Sequence, residues 1–145
     1  MSATAVTLTP YPDSQSHLLA GLAVLDLRVQ WAAARARANG LQPDDDFRGL
    51  YISDDHADAL LHQGIGGHIW ANGSNNGHHT APSTFPTALD QAQQEWDART
   101  LTSRAEGIPL RLDHLTNAFQ LTAMETSALL IALAPEIDPR YERLY

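Results

Sequence analysis

The chain has no cysteine and no lysine. Without cysteine it can form neither a disulfide nor a cysteine-based zinc site, and it has no thiol nucleophile. Without lysine the phosphate-binding loop G-x-x-x-x-G-K-[ST] cannot be written, so this chain alone is no ATPase of that kind. All nine basic residues are arginines, set against 17 carboxylates for a net charge of −8. Nonspecific nucleic-acid binding depends on neutralising phosphates, so this balance argues against a nucleic-acid partner. Arg35 with Arg37 and Arg140 with Arg143 are close pairs, and neither makes a basic patch. No apolar run approaches the roughly 20 residues that span a bilayer. The opening MSATAVTLTPYPDS lacks a basic region and a long apolar core, so it does not read as a secretory signal, and a cytoplasmic location is expected.

What is present reads as helix. A length of 145 residues fits one domain, enough to bury roughly two thirds of its unfolded surface. Residues 1–13, with Pro10 and Pro12, form an extended lead-in to a helical domain over 14–145. Asp13 or Ser14 offers the cap of a long helix reaching about Asn39, with Gly40 as its stop. Leu18, Leu22, Leu25 and Val29 make one stripe at helical spacing; Ala20, Val24, Leu27 and Trp31 make a second on nearly the opposite side. Asp26, Arg28 and Gln30 are left on narrow polar strips. A helix apolar on two faces is either central to its own domain or also packs on a partner, which makes Trp31 a candidate partner-facing residue.

Residues 41–46 (LQPDDD) read as a solvated acidic connector, because their spacing is not that of a calcium loop. A short extended piece over 47–52 and a short helix capped by Ser53 and ended by Gly64 are expected to follow. Residues 64–86 are rich in Gly, Asn, Ser and His, without helical or alternating period, and read as a long flexible loop. Trp70 in that loop is a second candidate partner-facing residue. His56, His62, His68, His78 and His79 invite a metal hypothesis, but no H-E-x-x-H or comparable spacing organises them, and no metal site is assigned.

From Thr87 the helical pattern returns. Leu89, Ala92 and Trp96 share one face, opposite Gln91, Gln94 and Asp97, to about Arg104, where Gly107 and Pro109 break the helix. Leu112, Leu115 and Phe119 space a further short helix. Thr122 and Glu125 then form a capping box ahead of a run from Met124 to Leu133 with almost no polar face, which predicts a buried helix. Pro135 should stop it, and Asp138-Pro139 should start another, with Asp at the N-cap and Pro at the first helical position. The fold class expected is all-α: an irregular bundle of five or six helices with one long loop.

Two stretches, FQLTAMETSALLIALAPEIDPRYERLY (Phe119 to Tyr145) and FRGLYISDDHADALL (Phe47 to Leu61), resemble segments of the helical region N-terminal to the core of bacterial AAA+ ATPases, including those encoded with contractile injection systems. They cover roughly a third of the chain. The resemblance implies a domain that recruits or positions substrate or adaptor proteins for an ATP-driven core absent from this chain. ATP and magnesium would belong to that core. It also implies that Arg140, Tyr141 and Tyr145 lie near the junction with the motor as interdomain contacts.

The residues themselves show no catalytic constellation: there is no G-x-S-x-G elbow and no carboxylate pair set apart by its surroundings. The chain is therefore expected to be neither an enzyme nor a cofactor binder. Two other readings accompany the motor-associated one. The first is a freestanding helical interaction module, self-associating through the two-faced helix. The second is a metal enzyme using the loop histidines.

Overall fold

The computed structural model describes residues 8–38, residue 59 and residues 85–144. These contain five helices: α1 (Ser14–Ala38), α2 (Phe85–Ala105), α3 (Arg111–Ala118), α4 (Ala123–Ile137) and α5 (Tyr141–Leu144). No strand occurs among the described residues, and the all-α class stands. Apart from residue 59, which is helical, the expected short helix from Ser53 lies outside the described residues, as do the 41–46 connector, Trp70, the five clustered histidines and almost all of the 64–86 loop.

α1 is the hub: it packs on α2, α3 and α4, while α4 also touches α5. Asp13, one of the two caps expected, begins it; its carboxylate accepts Ser16 N–H at 2.7 Å and its carbonyl accepts His17 N–H at 3.2 Å. The hydrogen bond from Ser16 N–H holds the Asp13 carboxyl below its usual range, so the cap is ionised. Leu22, Leu25, Leu112, Leu130, Ala134 and Tyr141 form the central cluster, with Leu18, Leu19, Val29, Trp96, Leu129 and Ile137 against it. The first stripe of α1 supplies this core; of the second, Val24 is buried while Ala20, Leu27 and Trp31 are half-buried. α1 and α2 approach closely at Gly21, where an added Cβ would stand 3.0 Å from Trp96 Cζ2.

The lead-in is tied down on α2. Tyr11 N–H donates to Ser103 Oγ at 2.7 Å, Arg99 Nε donates to the Thr9 carbonyl at 2.8 Å, and the Arg99 guanidinium lies 4.1 Å from the Tyr11 ring centroid. Ser14 Oγ donates to the Pro109 carbonyl and accepts from Arg111 N–H, both at 2.9 Å, so one hydroxyl ties the start of α1 to the start of α3.

Four expectations are corrected. α2 starts at Phe85 rather than Thr87, which takes Pro86 into its first turn, where a missing N–H costs nothing. Pro135 does not stop α4; the helix runs on to Ile137, and Asp138 N–H closes onto the Ala134 carbonyl at 2.9 Å. A proline this near the C-terminus forfeits one backbone bond and leaves the last turn intact. The apolar run of α4 is not buried all round: Leu130 and Ala134 are buried, but Met124 is 84% and Ile131 42% exposed. Asp26, placed on a polar strip by the sequence, is buried.

Candidate functional site

α3 and α4 are joined by the four residues 119–122, giving a helix-turn-helix whose two helices both rest on α1. The end of α3 is a Schellman motif. Leu121 N–H donates to the Thr116 carbonyl at 2.9 Å and Gln120 N–H to the Asn117 carbonyl at 3.3 Å, with Gln120 at φ 51°. Glutamine holds the left-handed position that glycine usually fills, and its side-chain amide donates to the Asn117 carbonyl at 2.7 Å. α2 ends the same way with a glycine: Gly107 (φ 75°) donates to the Arg104 carbonyl and Ile108 N–H to the Ser103 carbonyl.

The capping box at the start of α4 is present as expected. Glu125 N–H donates to Thr122 Oγ1 at 3.2 Å, and Thr122 N–H returns to Glu125 Oε2 at 2.7 Å. The backbone bond from Thr122 holds the Glu125 carboxyl below its ordinary range, so a negative charge sits at the helix N-terminus. Along α4, Met124, Ala128, Ile131 and Ala132 face solvent, with Glu125 and Glu136 also exposed beside them. Phe119, in the turn, is 70% exposed. From Leu112 to Pro139 the sequence contains no arginine, and His114 is its one basic side chain.

Behind the helix-turn-helix, α1, α2, α3 and α4 enclose a cleft of about 370 Å³, floored by Val24, Leu25, Trp96, Leu112 and Leu130. Polar groups at its edge are bonded within the domain. Arg28 spans it, donating to Ser127 Oγ on α4 and to Gln93 Oε1 on α2, and Arg104 pairs with Asp113 through two bonds.

His17, fully buried, also borders this cleft. Its ring stacks on Trp96 with centroids 5.1 Å apart and meets Tyr11 edge-on at 5.3 Å. Nε2 lies 3.0 Å from Thr100 Oγ1, which superficially pairs a base with a hydroxyl. The direction is wrong for activation. Thr100 donates its proton to the Trp96 carbonyl at 2.7 Å, so the histidine Nε2–H is the donor to Thr100. Nδ1 has no partner among the described residues, hence no carboxylate orients the ring. Burial lowers the pKa of His17 from its ordinary 6.5, outweighing the pull of Asp113, and the ring is neutral.

At the middle of α1, the Tyr141 hydroxyl donates to Asp26 Oδ1 at 2.9 Å, and Arg140 Nε donates to Asp138 Oδ2 at 2.8 Å. Asp138 closes α4 and caps the turn that follows rather than α5: its carboxylate accepts Arg140 N–H at 3.0 Å and its carbonyl Tyr141 N–H at 3.1 Å. α5 begins only at Tyr141, so the expected helix start at Asp138-Pro139 is displaced, with Pro139 outside the helix. Of the proposed interdomain contacts, Tyr141 is fully buried and Arg140 is 7% exposed, so both are engaged inside this domain; Tyr145 lies outside the described residues. Trp31 is partly buried, with the Arg35 guanidinium 5.6 Å from its ring centroid. Sequence reasoning missed the Tyr141–Asp26 tie and the His17–Trp96 stack, because both join residues far apart in the chain. It also missed the turn at Gln120, because glutamine gives no turn signal.

The sequence matches the winged helix domain, variant, family over residues 1–145, and the chain belongs to that family. Comparisons with curated proteins and with solved structures give no match. None of these findings connects the chain to AAA+ ATPases or to contractile injection systems.

Proposed function

We propose that this winged helix domain binds protein rather than nucleic acid, and that it does so through the outward face of its helix-turn-helix. The observation that carries this is the chemistry of α4. In a DNA-reading helix-turn-helix the second helix enters the major groove, N-terminal residues first, between two phosphate backbones. Here that helix presents Met124, Ala128 and Ile131, has no cation, and carries the ionised Glu125 at its N-terminus. A helix N-terminus attracts phosphate only while its free N–H groups and positive dipole end are open, and this one is already occupied by a carboxylate. Exposed methionine, isoleucine and phenylalanine are the side chains of protein interfaces.

Within this reading the resemblance of residues 47–61 and 119–145 supports a finer one. The domain recruits or positions a substrate or adaptor protein for an ATP-driven AAA+ core, itself contributing no catalytic group, with ATP and magnesium bound by that core. A cytoplasmic location, consistent with no described helix being long and apolar enough to cross a membrane, goes with it.

Titration of a fluorescein-labelled DNA duplex with the chain at low salt tests the first statement. Nonspecific DNA binders reach Kd values of about 10⁻⁴ to 10⁻⁶ M even at physiological salt; no anisotropy change is expected here, and a salt-dependent rise would sink the reading. The finer statement is tested by the source reading frame. A downstream G-x-x-x-x-G-K-[ST] is expected, and a stop at Tyr145 would leave a freestanding interaction module.

A further inference from the structure

We propose that the exposed stripe of α4 receives an amphipathic helix of another protein, one whose apolar stripe is bordered by arginine or lysine; this rests on the protein-binding reading above. Met124, Ala128, Ile131 and the partly exposed Pro135 recur at helical spacing along one side of α4, about a third of a turn round from Leu130 and Ala134, which are buried against α1. The stripe is therefore a second apolar face on a helix already anchored by its first. A ridge of this spacing fits along the groove of another helix, and no described strand offers an edge for an extended peptide.

Charge identifies the kind of helix. Glu125 and Glu136 are eleven positions apart. That is about three turns, so both border the same edge of the stripe, about 16 Å apart along the axis. Both are exposed. Glu125 uses Oε2 for Thr122 N–H and for Thr122 Oγ1, so its charge is fixed in place rather than swinging on a free side chain. No arginine of α3 or α4 beyond Arg111 balances them. A partner helix with cations about three turns apart beside its own apolar stripe meets both carboxylates at once, and one with acids there is repelled twice. The cleft behind is the poorer candidate, because Arg28, Arg104 and Asp113 at its edge already bond to one another's elements.

The test uses the full chain and two synthetic 18-residue helical peptides with one shared leucine–alanine stripe. One carries arginine at two edge positions eleven residues apart; the other carries glutamate there. Titrations followed by peptide fluorescence anisotropy and by amide chemical shifts are expected to show the arginine peptide binding about tenfold more tightly, which corresponds to about 1.4 kcal/mol, with shifts centred on residues 123–136. Glu136→Lys should narrow that preference severalfold. Glu125→Gln should also narrow it, while glutamine preserves the capping box. Met124→Glu should weaken both peptides. Equal binding of the two peptides would overturn the charge match and leave the protein-binding reading standing. No binding of either, or a concentration-dependent dimer in sedimentation that Met124→Glu abolishes, would overturn the proposal by showing another occupant. DNA binding would instead sink the reading on which it rests.

Discussion

α1 and α4 are the two most apolar helices of the domain, and they are used in opposite ways. α1 carries a histidine, an aspartate, an arginine and a glutamine within its packed length, yet it is the hub that three other helices cover. α4 has almost no polar residue between Ala128 and Pro135, yet it leaves one whole side in solvent. Hydropathy thus ranks the two helices in the wrong order for burial. What decides burial is position in the topology. α1 has neighbours on several sides, so its polar side chains are answered: His17 by Thr100, Asp26 by Tyr141, Arg28 by Ser127 and Gln93. α4 packs on α1 and touches α5 while its other side stays in solvent, and that surplus apolar surface is what a binding face requires.

Truncation of the same kind of side chain on each helix gives the largest contrast. Leu22 is fully buried at the centre of the core, so Leu22→Ala should cost about 3 kcal/mol or more, combining lost burial with a residual cavity. Met124 is 84% exposed, and Met124→Ala should change stability by under about 0.5 kcal/mol. Urea unfolding of both variants measures this. Comparable losses would show that α4 is covered within the domain.

A second contrast lies in the buried polar ties of α1. Tyr141→Phe removes the donor to Asp26 while keeping the ring, leaving a buried carboxylate short of one hydrogen bond at a cost of about 1–3 kcal/mol. Burial already raises the pKa of Asp26 above its usual range, so the folded state holds that proton more tightly than the unfolded chain does. Stability from this group is therefore present at low pH and is lost as pH rises through the raised value. The hydroxyl of Tyr141 lowers the Asp26 pKa, so in the phenylalanine variant the loss should extend to higher pH. Denaturation midpoints measured from pH 3 to 7 for both proteins would reveal it; parallel profiles would mean that Asp26 does not titrate in the folded state.

His17 has the opposite sign. Its pKa is lowered in the folded state, so the unfolded chain binds the proton first, and stability falls as pH drops below the ordinary 6.5. One such group contributes a slope of at most about 1.4 kcal/mol per pH unit. His17→Gln should be less stable throughout, but with a flatter profile between pH 7 and 5. An unchanged slope would assign the acid sensitivity to other histidines.

Much of the described architecture was legible in the residues, and most of the misreadings share a cause. Local chemistry was readable: the Asp13 cap, the Thr122–Glu125 box and the Gly107 stop all act within a few residues, and each is present. The amphipathic pattern of Leu89, Ala92 and Trp96 likewise marked the inward face of α2. Facts set by which helix lies beside which were not. Periodicity shows that Met124 and Ile131 are apolar; it does not show that α1 covers only the Leu130 and Ala134 side of α4. Nor does it show that Tyr141, read as a junction residue, reaches back 115 positions to Asp26. Pro135 misled in a different way. A proline rule written for helix interiors overstates the cost in a last turn, where one lost bond is all that is at stake.

The smallest predicted effect isolates the turn that sets α4 relative to α3. Gln120 and Gly107 occupy equivalent positions in two Schellman motifs, at φ 51° and 75°. A residue with a Cβ pays about 1 kcal/mol to hold the left-handed region, while glycine there loses more backbone entropy on folding. The Gln120 amide recovers part of the difference through its bond to the Asn117 carbonyl. Gln120→Gly should therefore stabilise by only about 0.5 kcal/mol, whereas Gly107→Ala, with open space around its Cβ but the same backbone strain, should destabilise by about 1 kcal/mol. Opposite signs in paired thermal melts would establish that both turns are held by backbone conformation. A loss at Gln120 would instead show that its side-chain bond outweighs the strain, and that the turn presenting α4 is built from glutamine because glycine holds it less firmly.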